Sequence, residues 1–283
     1  MGDGTSANRV WFITGTSSGF GRSIAEEALG RGDRVVATAR RPEALEDLAD
    51  GAGDRVLALE LDVTDAPQRR NAVDAAIDYF GRIDVLVNNA GRTQVGAVEE
   101  TTEDELRGLF ELHFFAPAAL TVAVLPAMRA QRSGAIVQMS SVGGQVTAPG
   151  FGVYCATKFA LEGFTQTLAE EVAPFGIRCL IVEPGAFRTD LFASGAPVLS
   201  QPMSEYAEIV GPTRDYVASN DGRQPGDPRK AAAAIVAALD AEEPPLRLVL
   251  GADAIGNIRE QLERVGDELT RWEQVGRNTA IDS

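Results

Sequence analysis

The chain has 283 residues, 45% of them hydrophobic, and its 26 basic against 41 acidic side chains leave a formal charge of −15. An acidic excess of that size repels nucleic acid and anionic membrane surfaces, so neither is expected as a partner, and any bound phosphate must be held by local geometry. Two cysteines, Cys155 and Cys179, are too few for a disulfide framework, and only Lys158 stands close enough in sequence to activate Cys155.

From the N-terminus, MGDGTSANR is polar and lacks the apolar core of a signal peptide; residues 1–8 read as a flexible tail. VWFIT (10–14) reads as the first strand. TGTSSGFG (14–21) follows it directly and opens the helix GRSIAEEALGRG. Its glycines, Gly15, Gly19 and Gly21, are spaced more widely than in the commoner G-x-G-x-x-G, but they serve the same purpose. A turn without side chains lets the backbone approach a pyrophosphate, and a helix N-terminus offers it free N–H groups. Ser17 and Ser18 add hydroxyl donors, and Phe20 belongs to the same loop.

The second strand, RVVATA (34–39), ends where a dinucleotide fold commonly carries an acid for the ribose 2′-hydroxyl. Here Ala39 stands in that place, followed by Arg40 and Arg41. A carboxylate there would repel a 2′-phosphate and guanidinium groups pair with one, so NADP(H) is favoured over NAD(H). After the helix PEALEDLAD and the strand RVLALE (55–60), LDVTD sets Asp62 and Val63 on the same side, with Asp62 able to accept from an adenine amino group. The helix DAPQRRNAVDAAIDYFG leads to VLVNN (85–89), where the asparagines of NNAG can tie neighbouring loops while Asn89, Ala90 and Gly91 face the cofactor.

Next comes the helix TEDELRGLFELHFF with its continuation, which carries His113, the single histidine. Its longest uncharged stretch, FFAPAALTVAVLPAM (114–128), is too short to span a bilayer and reads as a buried helix. A soluble cytoplasmic protein is the expectation. GAIVQMS (134–140) brings Ser141 to a strand end, and YCATK places Tyr154 and Lys158 four apart, on one helix face. An ammonium beside a phenol stabilises the phenolate, so Tyr154 is expected to titrate nearer neutrality and serve as a general acid/base. Ser141 can donate to a substrate oxygen.

GIRCLIVEP (176–184), the helix DPRKAAAAIVAALDAEE and the strand LRLVLG (246–251) complete the alternation. Strands of continuous hydrophobicity separated by helices predict one α/β domain over 9–251, a Rossmann-type doubly wound parallel sheet of about seven strands flanked by helices. Residues 190–226 hold four prolines and four glycines with no clear strand, and read as a substrate lid. The aromatic and apolar side chains Phe192, Met203, Tyr206 and Tyr216, with Phe151, point to an apolar or aromatic ketone or alcohol. The extension 252–283 reads as an amphipathic helix with Ile258, Leu262, Val265 and Leu269 on one face, to pack on its own domain or on a partner subunit.

TGTSSGFG, LDVTD, NNAG, the serines at 140–141, YCATK and EPGAFRTD together resemble the short-chain dehydrogenase/reductase superfamily over about residues 9–250. The resemblance implies hydride transfer between a nicotinamide cofactor and a carbonyl or secondary alcohol. Tyr154 would protonate the carbonyl oxygen, Ser141 would orient it, and Lys158 would also bind the nicotinamide ribose. Asn89 would lie beside the cofactor, Pro184 and Gly185 would face the nicotinamide, and Thr189 would hold its carboxamide. It further implies a homodimer or homotetramer built on the helices carrying FFAPAALTVAVLP and YCATKFALEGF. No metal site is expected. One position departs from the pattern: His113 replaces the family's fourth catalytic residue, an asparagine. Its side chain is expected to join a proton relay from Lys158 to solvent, with the backbone carbonyl of that residue as the other means. A non-catalytic NADP-binding regulator on the same fold is the alternative function, but it should have lost the Tyr–Lys pair that this chain keeps.

Overall fold

The computed structural model describes residues 8–281; the tail expected over 1–8 lies, apart from Asn8, outside the described residues. Among the described residues nine strands follow one another as β1 (Val10–Ile13), β2 (Arg34–Ala39), β3 (Val56–Glu60), β4 (Val85–Asn88), β5 (Gln94–Val95), β6 (Gly134–Met139), β7 (Ile177–Pro184), β8 (Val198–Leu199) and β9 (Arg247–Leu250). Seven of them, the seven expected from the sequence, form one sheet in the order β3-β2-β1-β4-β6-β7-β9. Every neighbouring pair is parallel, with Phe12 opposite Val36 on one side and Leu86 on the other.

The strands are apolar throughout because both faces are covered. On one face, Trp11, Ile13, Val35 and Val87 pack with Ile24 and Ala28 of α1 (Gly19–Gly30), with Leu48 of α2 (Glu46–Ala52) and, once the chain returns, with Ile235 of α8 (Pro228–Asp240). On the other, Val10, Phe12 and Leu86 meet Val73 of α3 (Ala66–Phe80), Leu120 of α5 (Ala116–Gln131) and Leu168 of α6 (Gly152–Val172). β1 lies between β2 and β4, so the connections leaving it diverge. That divergence opens a crevice at the carboxyl ends of the strands.

Two segments differ from the sequence reading. The helix that begins as α4 (Glu103–Phe110), capped by the reciprocal Thr102–Glu105 pair, passes through one π-turn at Glu111–Phe115 and continues as α5. The combined 29-residue helix is long and apolar enough to cross a membrane, but Leu120, Val124 and Met128 are buried against the sheet. The 190–226 segment is not irregular throughout. It contains α7 (Ala207–Ser219), and β8 pairs with β5 in a separate parallel ribbon. The adjacent Gly211 and Pro212 hid the helix in the sequence, since both oppose one; burial of Val210 and Val217 against Val95 and Ala97 outweighs that cost. The carboxylate of Glu100 ties the segment down, accepting hydrogen bonds from Ala97 N, Met203 N and Arg214 Nη2, each at 2.7 Å. The last helix is α9 (Ala252–Arg277).

Candidate active site

Between β1 and α1 the chain turns through Gly15 (φ +68°) and Gly19 (φ +57°), left-handed conformations that favour glycine. Ser18 caps α1 with an extended backbone and no side-chain bond to the first turn, leaving those N–H groups free. Asn89 fastens the loop after β4 to this turn: Nδ2 donates to Thr14 O at 2.9 Å and to Gly15 O at 3.0 Å. Thr14 Oγ1 accepts in return from the backbone N–H groups of Asn89 and Ala90, at 2.9 and 3.0 Å. The expectation that asparagines tie loops together therefore has a specific form here.

A cavity of about 780 Å³ runs along the carboxyl edge of the sheet. At one end stand Arg40, Arg41, Asp62 and Val63; across the middle lie Gly15, Ser17, Ser18, Gly19 and Phe20, with Asn89, Ala90 and Gly91 opposite. The far end is lined by His113, Ser141, Tyr154, Lys158, Pro184, Gly185 and Thr189. One residue is corrected. Gly21, expected to touch a cofactor, does not line the cavity: a Cβ there would lie 2.3 Å from Gly15 O and 2.5 Å from Asn89 Nδ2, so its role is to let α1 approach the turn. Bare backbone, free N–H groups and a long crevice fit a dinucleotide. Among the described residues, neither Arg40 nor Arg41 makes an ion pair, although Arg40 is close enough for its charge to act on the Asp62 carboxyl.

At the far end a buried ammonium stands beside a half-buried phenol. Lys158 Nζ donates to Met139 O at 2.8 Å and lies 5.7 Å from the centre of the Tyr154 ring. Burial pushes the ammonium down to about 8, with the Glu162 charge opposing. The sequence reading placed the Tyr154 phenol nearer neutrality; instead burial pushes it up to about 12, against a hydrogen bond with Ser141 that favours the phenolate. Desolvation outweighs that hydrogen bond. Ser141 sits at the end of β6, its Oγ accepting from Gly143 N at 3.0 Å.

His113 occupies the π-turn, and both its ring nitrogens are used. Arg92 N–H donates to Nε2 at 3.2 Å, so the ring proton is on Nδ1, which donates to Thr157 Oγ1 at 2.9 Å. Thr157 Oγ1 in turn donates to Tyr154 O at 2.7 Å. Burial above all, then the Lys158 and Arg92 charges, hold the imidazole well below its usual range. The expected side-chain relay is therefore corrected: a neutral ring with no free nitrogen hands on no proton. The ring packs edge-on against Tyr154, centroids 5.6 Å apart at 85°, and links the β4 loop to α6.

Sequence reasoning missed an acid pair behind the serines. Glu162 Oε1 accepts from Ser140 Oγ at 2.7 Å and Glu183 Oε1 from Gln145 Nε2 at 2.6 Å, while Arg247 Nε lies 3.1 Å from Glu162 and 3.3 Å from Glu183. Glu183 is fully buried, and burial followed by the Glu162 charge pushes its carboxyl up to about 7. The sequence signal available was a glutamate inside each of two apolar runs, ALEGF and IVEPG.

The aromatic set expected around a substrate is also corrected. Phe192 and Tyr206 pack beneath α7, Met203 bonds through its backbone to Glu100, and Tyr216 meets Phe192 edge-on; none lines the cavity, and Phe151, which shares that cluster, stays beside the active centre with its ring 6.1 Å from that of Tyr154. Its wall beside the catalytic end is Leu191, Ala196 and Val198. The two-residue strand β8 that places Val198 is too short to leave a periodic signal.

A model of the short chain dehydrogenase family matches residues 9–197. The chain is 40% identical over 270 residues to oxidoreductase BOA17 of Botryotinia fuckeliana, covering 94% of this chain and 97% of that protein. It is 36% identical over 252 residues to 3-ketodihydrosphingosine reductase of Bacteroides thetaiotaomicron, covering 86% and 88%. A short-chain dehydrogenase structure from Streptomyces avermitilis superposes with a TM-score of 0.92 at 57% identity, covering 97% of this chain and all of that one.

Two expectations follow from the buried groups. Glu183 keeps its proton in the folded state between the ordinary 4.5 and about 7 while the unfolded chain has lost it, so it makes stability fall as pH rises through that window. Compared with Glu183→Gln, the wild type should lose up to about 3 kcal/mol between pH 4.5 and 7 in urea-unfolding midpoints. For His113, His113→Asn and wild type should share one pH profile of turnover. His113→Leu leaves Arg92 N–H without a partner and Thr157 Oγ1 with only its bond to Tyr154 O, and should lower stability by about 1–3 kcal/mol in the same assay.

Proposed function

The chain belongs to the short-chain dehydrogenase family, and from that premise we propose that it is an NADPH-dependent reductase of an apolar ketone. It is an oxidoreductase that uses a nicotinamide dinucleotide; the cofactor preference, the substrate and the residue roles are our reading. The observation that carries it is the meeting, in one cavity, of the glycine turn with Ser141, Tyr154 and Lys158.

When bound, the nicotinamide supplies hydride in reduction or accepts it in oxidation. Gly15, Ser17, Ser18, Gly19, Phe20 and the first turn of α1 would hold its phosphates, Asp62 and Val63 its adenine end, and Asn89, Ala90 and Gly91 its middle. Pro184, Gly185 and Thr189 would face the nicotinamide, and Lys158 its ribose. With its pKa raised to about 12, the Tyr154 phenol is protonated at neutral pH and is the acid that donates to the carbonyl oxygen. Ser141 orients that oxygen. Below about pH 8 the Lys158 ammonium stands beside the phenolate left behind and stabilises it.

NADP(H) is favoured by two uncommitted guanidinium groups, Arg40 and Arg41, at the end of β2 where Ala39 leaves no carboxylate to repel a 2′-phosphate. The aliphatic wall of Leu191, Ala196 and Val198 supports an apolar substrate, as does similarity to a reductase named for 3-ketodihydrosphingosine. Residues 190–226 would be its cover. Exposed Phe115 and Val122 from the 103–131 helix and Phe159 on α6 support a homo-oligomer. A regulatory protein on the same fold is disfavoured by retention of the Tyr154–Lys158 pair.

Tyr154→Phe should keep NADPH affinity within a few-fold and lose nearly all single-turnover rate with a ketone panel; retention of more than about a tenth of that rate would remove the phenol from acid catalysis. Arg40→Ala should weaken NADPH by about 1.5–3 kcal/mol and leave NADH almost unchanged, as read by titrating both cofactors. Equal losses for the two would count against a 2′-phosphate contact.

A further inference from the structure

Helix α9 leaves the body of the protein after its second turn. Ala254 and Ile258 are buried, but Leu262, Val265, Leu269 and Trp272 are 59%, 49%, 71% and 63% exposed. From residue 259 to its end at Arg277 the helix extends for roughly 28 Å at 1.5 Å per residue. A helix of that length is marginal on its own in water, and most helical stability comes from packing an apolar face.

From Ile255 to Trp272 the large apolar positions are Ile255, Ile258, Leu262, Val265, Leu269 and Trp272, separated by three and four residues in alternation, with Val275 beside the stripe at its end. That is the 3.5-residue repeat of a two-helix seam, narrower than the stripe a helix lays on a globular core. Charge identifies the occupant. The chain carries −15, but residues 259–277 hold four arginines against five acids, a net of −1, leaving −14 elsewhere. The projecting helix is thus a stretch where two copies of an acidic protein can meet with little net repulsion.

The positions flanking the seam settle the direction. In an antiparallel pair, Arg259 of each helix faces Glu273 of the other, two opposite-charge contacts, against one like-charge approach of the two Glu268 side chains near the axis. A parallel pair would instead set Glu268 against Glu273 twice. Antiparallel pairing also sets Leu262 on Trp272 and Val265 on Leu269 of the second copy, burying four of the exposed apolar residues, with exposed Val275 flanking the seam and Ile258 left with its own domain. We propose that α9 pairs with α9 of a second copy as an antiparallel two-helix coiled coil about a two-fold axis, an interface separate from the faces of α5 and α6.

The test uses the full chain. Light scattering should show that Leu262→Glu combined with Leu269→Glu halves the mass of the assembly, with far-UV spectrum and melting temperature confirming an intact body. An unchanged mass, or a wild-type chain that is monomeric at micromolar concentration, would overturn the proposal. A second measurement does not depend on that variant. Arg259→Cys and Glu273→Cys chains, mixed and treated with a short bis-maleimide, should cross-link to each other, since Cys155 and Cys179 are buried. No heterologous product, or equal linking of Glu273→Cys to itself, would rule out the antiparallel pair.

Discussion

The turn between β1 and α1 exists in this form because Gly21 has no side chain. A Cβ there would overlap the carbonyl oxygen of Gly15 and the amide of Asn89, pushing α1 away from the strand it follows. With the helix held close, its free N–H groups point into the crevice, and Asn89 can bond the turn from the far side with two carbonyls in reach. The seven parallel strands place every other component relative to that point. The β2 end brings two arginines, the β4 end brings Gly91 and the His113 contact, and the β6 end brings Ser141.

Burial, more than any single charge pair, governs the chemistry at the other end of the cavity. It raises the phenol, lowers the ammonium and keeps the imidazole neutral, so the proton inventory at neutral pH is a protonated Tyr154, a charged Lys158 near its titration point and an uncharged His113. The phenol therefore begins as an acid, which suits reduction. His113 has changed category from proton carrier to brace: its two nitrogens join the backbone after β4 to α6, where an asparagine stands in the family pattern.

Much of this was legible in the sequence because it rests on short-range pattern. Parallel strands covered on both faces must be apolar throughout, so VWFI, RVVATA and the rest declare themselves, and glycines placed between a strand and a helix declare a phosphate turn. Tyr154 and Lys158 share a helix face by arithmetic alone. The lid was not legible. Gly211 and Pro212 speak against a helix locally, and only burial of Val210 and Val217 on β5 reverses them. The substrate wall was misassigned for a related reason, since aromatic residues draw attention in a sequence, but here they fill the space beneath α7.

The sequence by itself determined the sheet, the cofactor turn and the identity of the groups at its end, since each follows from periodicity and spacing within about twenty residues. Only the tertiary structure decided their protonation states, the neutral tautomer of His113, the pairing of Glu162 with Glu183 around Arg247, and the exposure of α9. Those depend on how much water surrounds a group and on partners as far as 85 residues away along the chain, as Glu162 is from Arg247. Desolvation and long-range contact are properties of the packed molecule, and no local pattern encodes them.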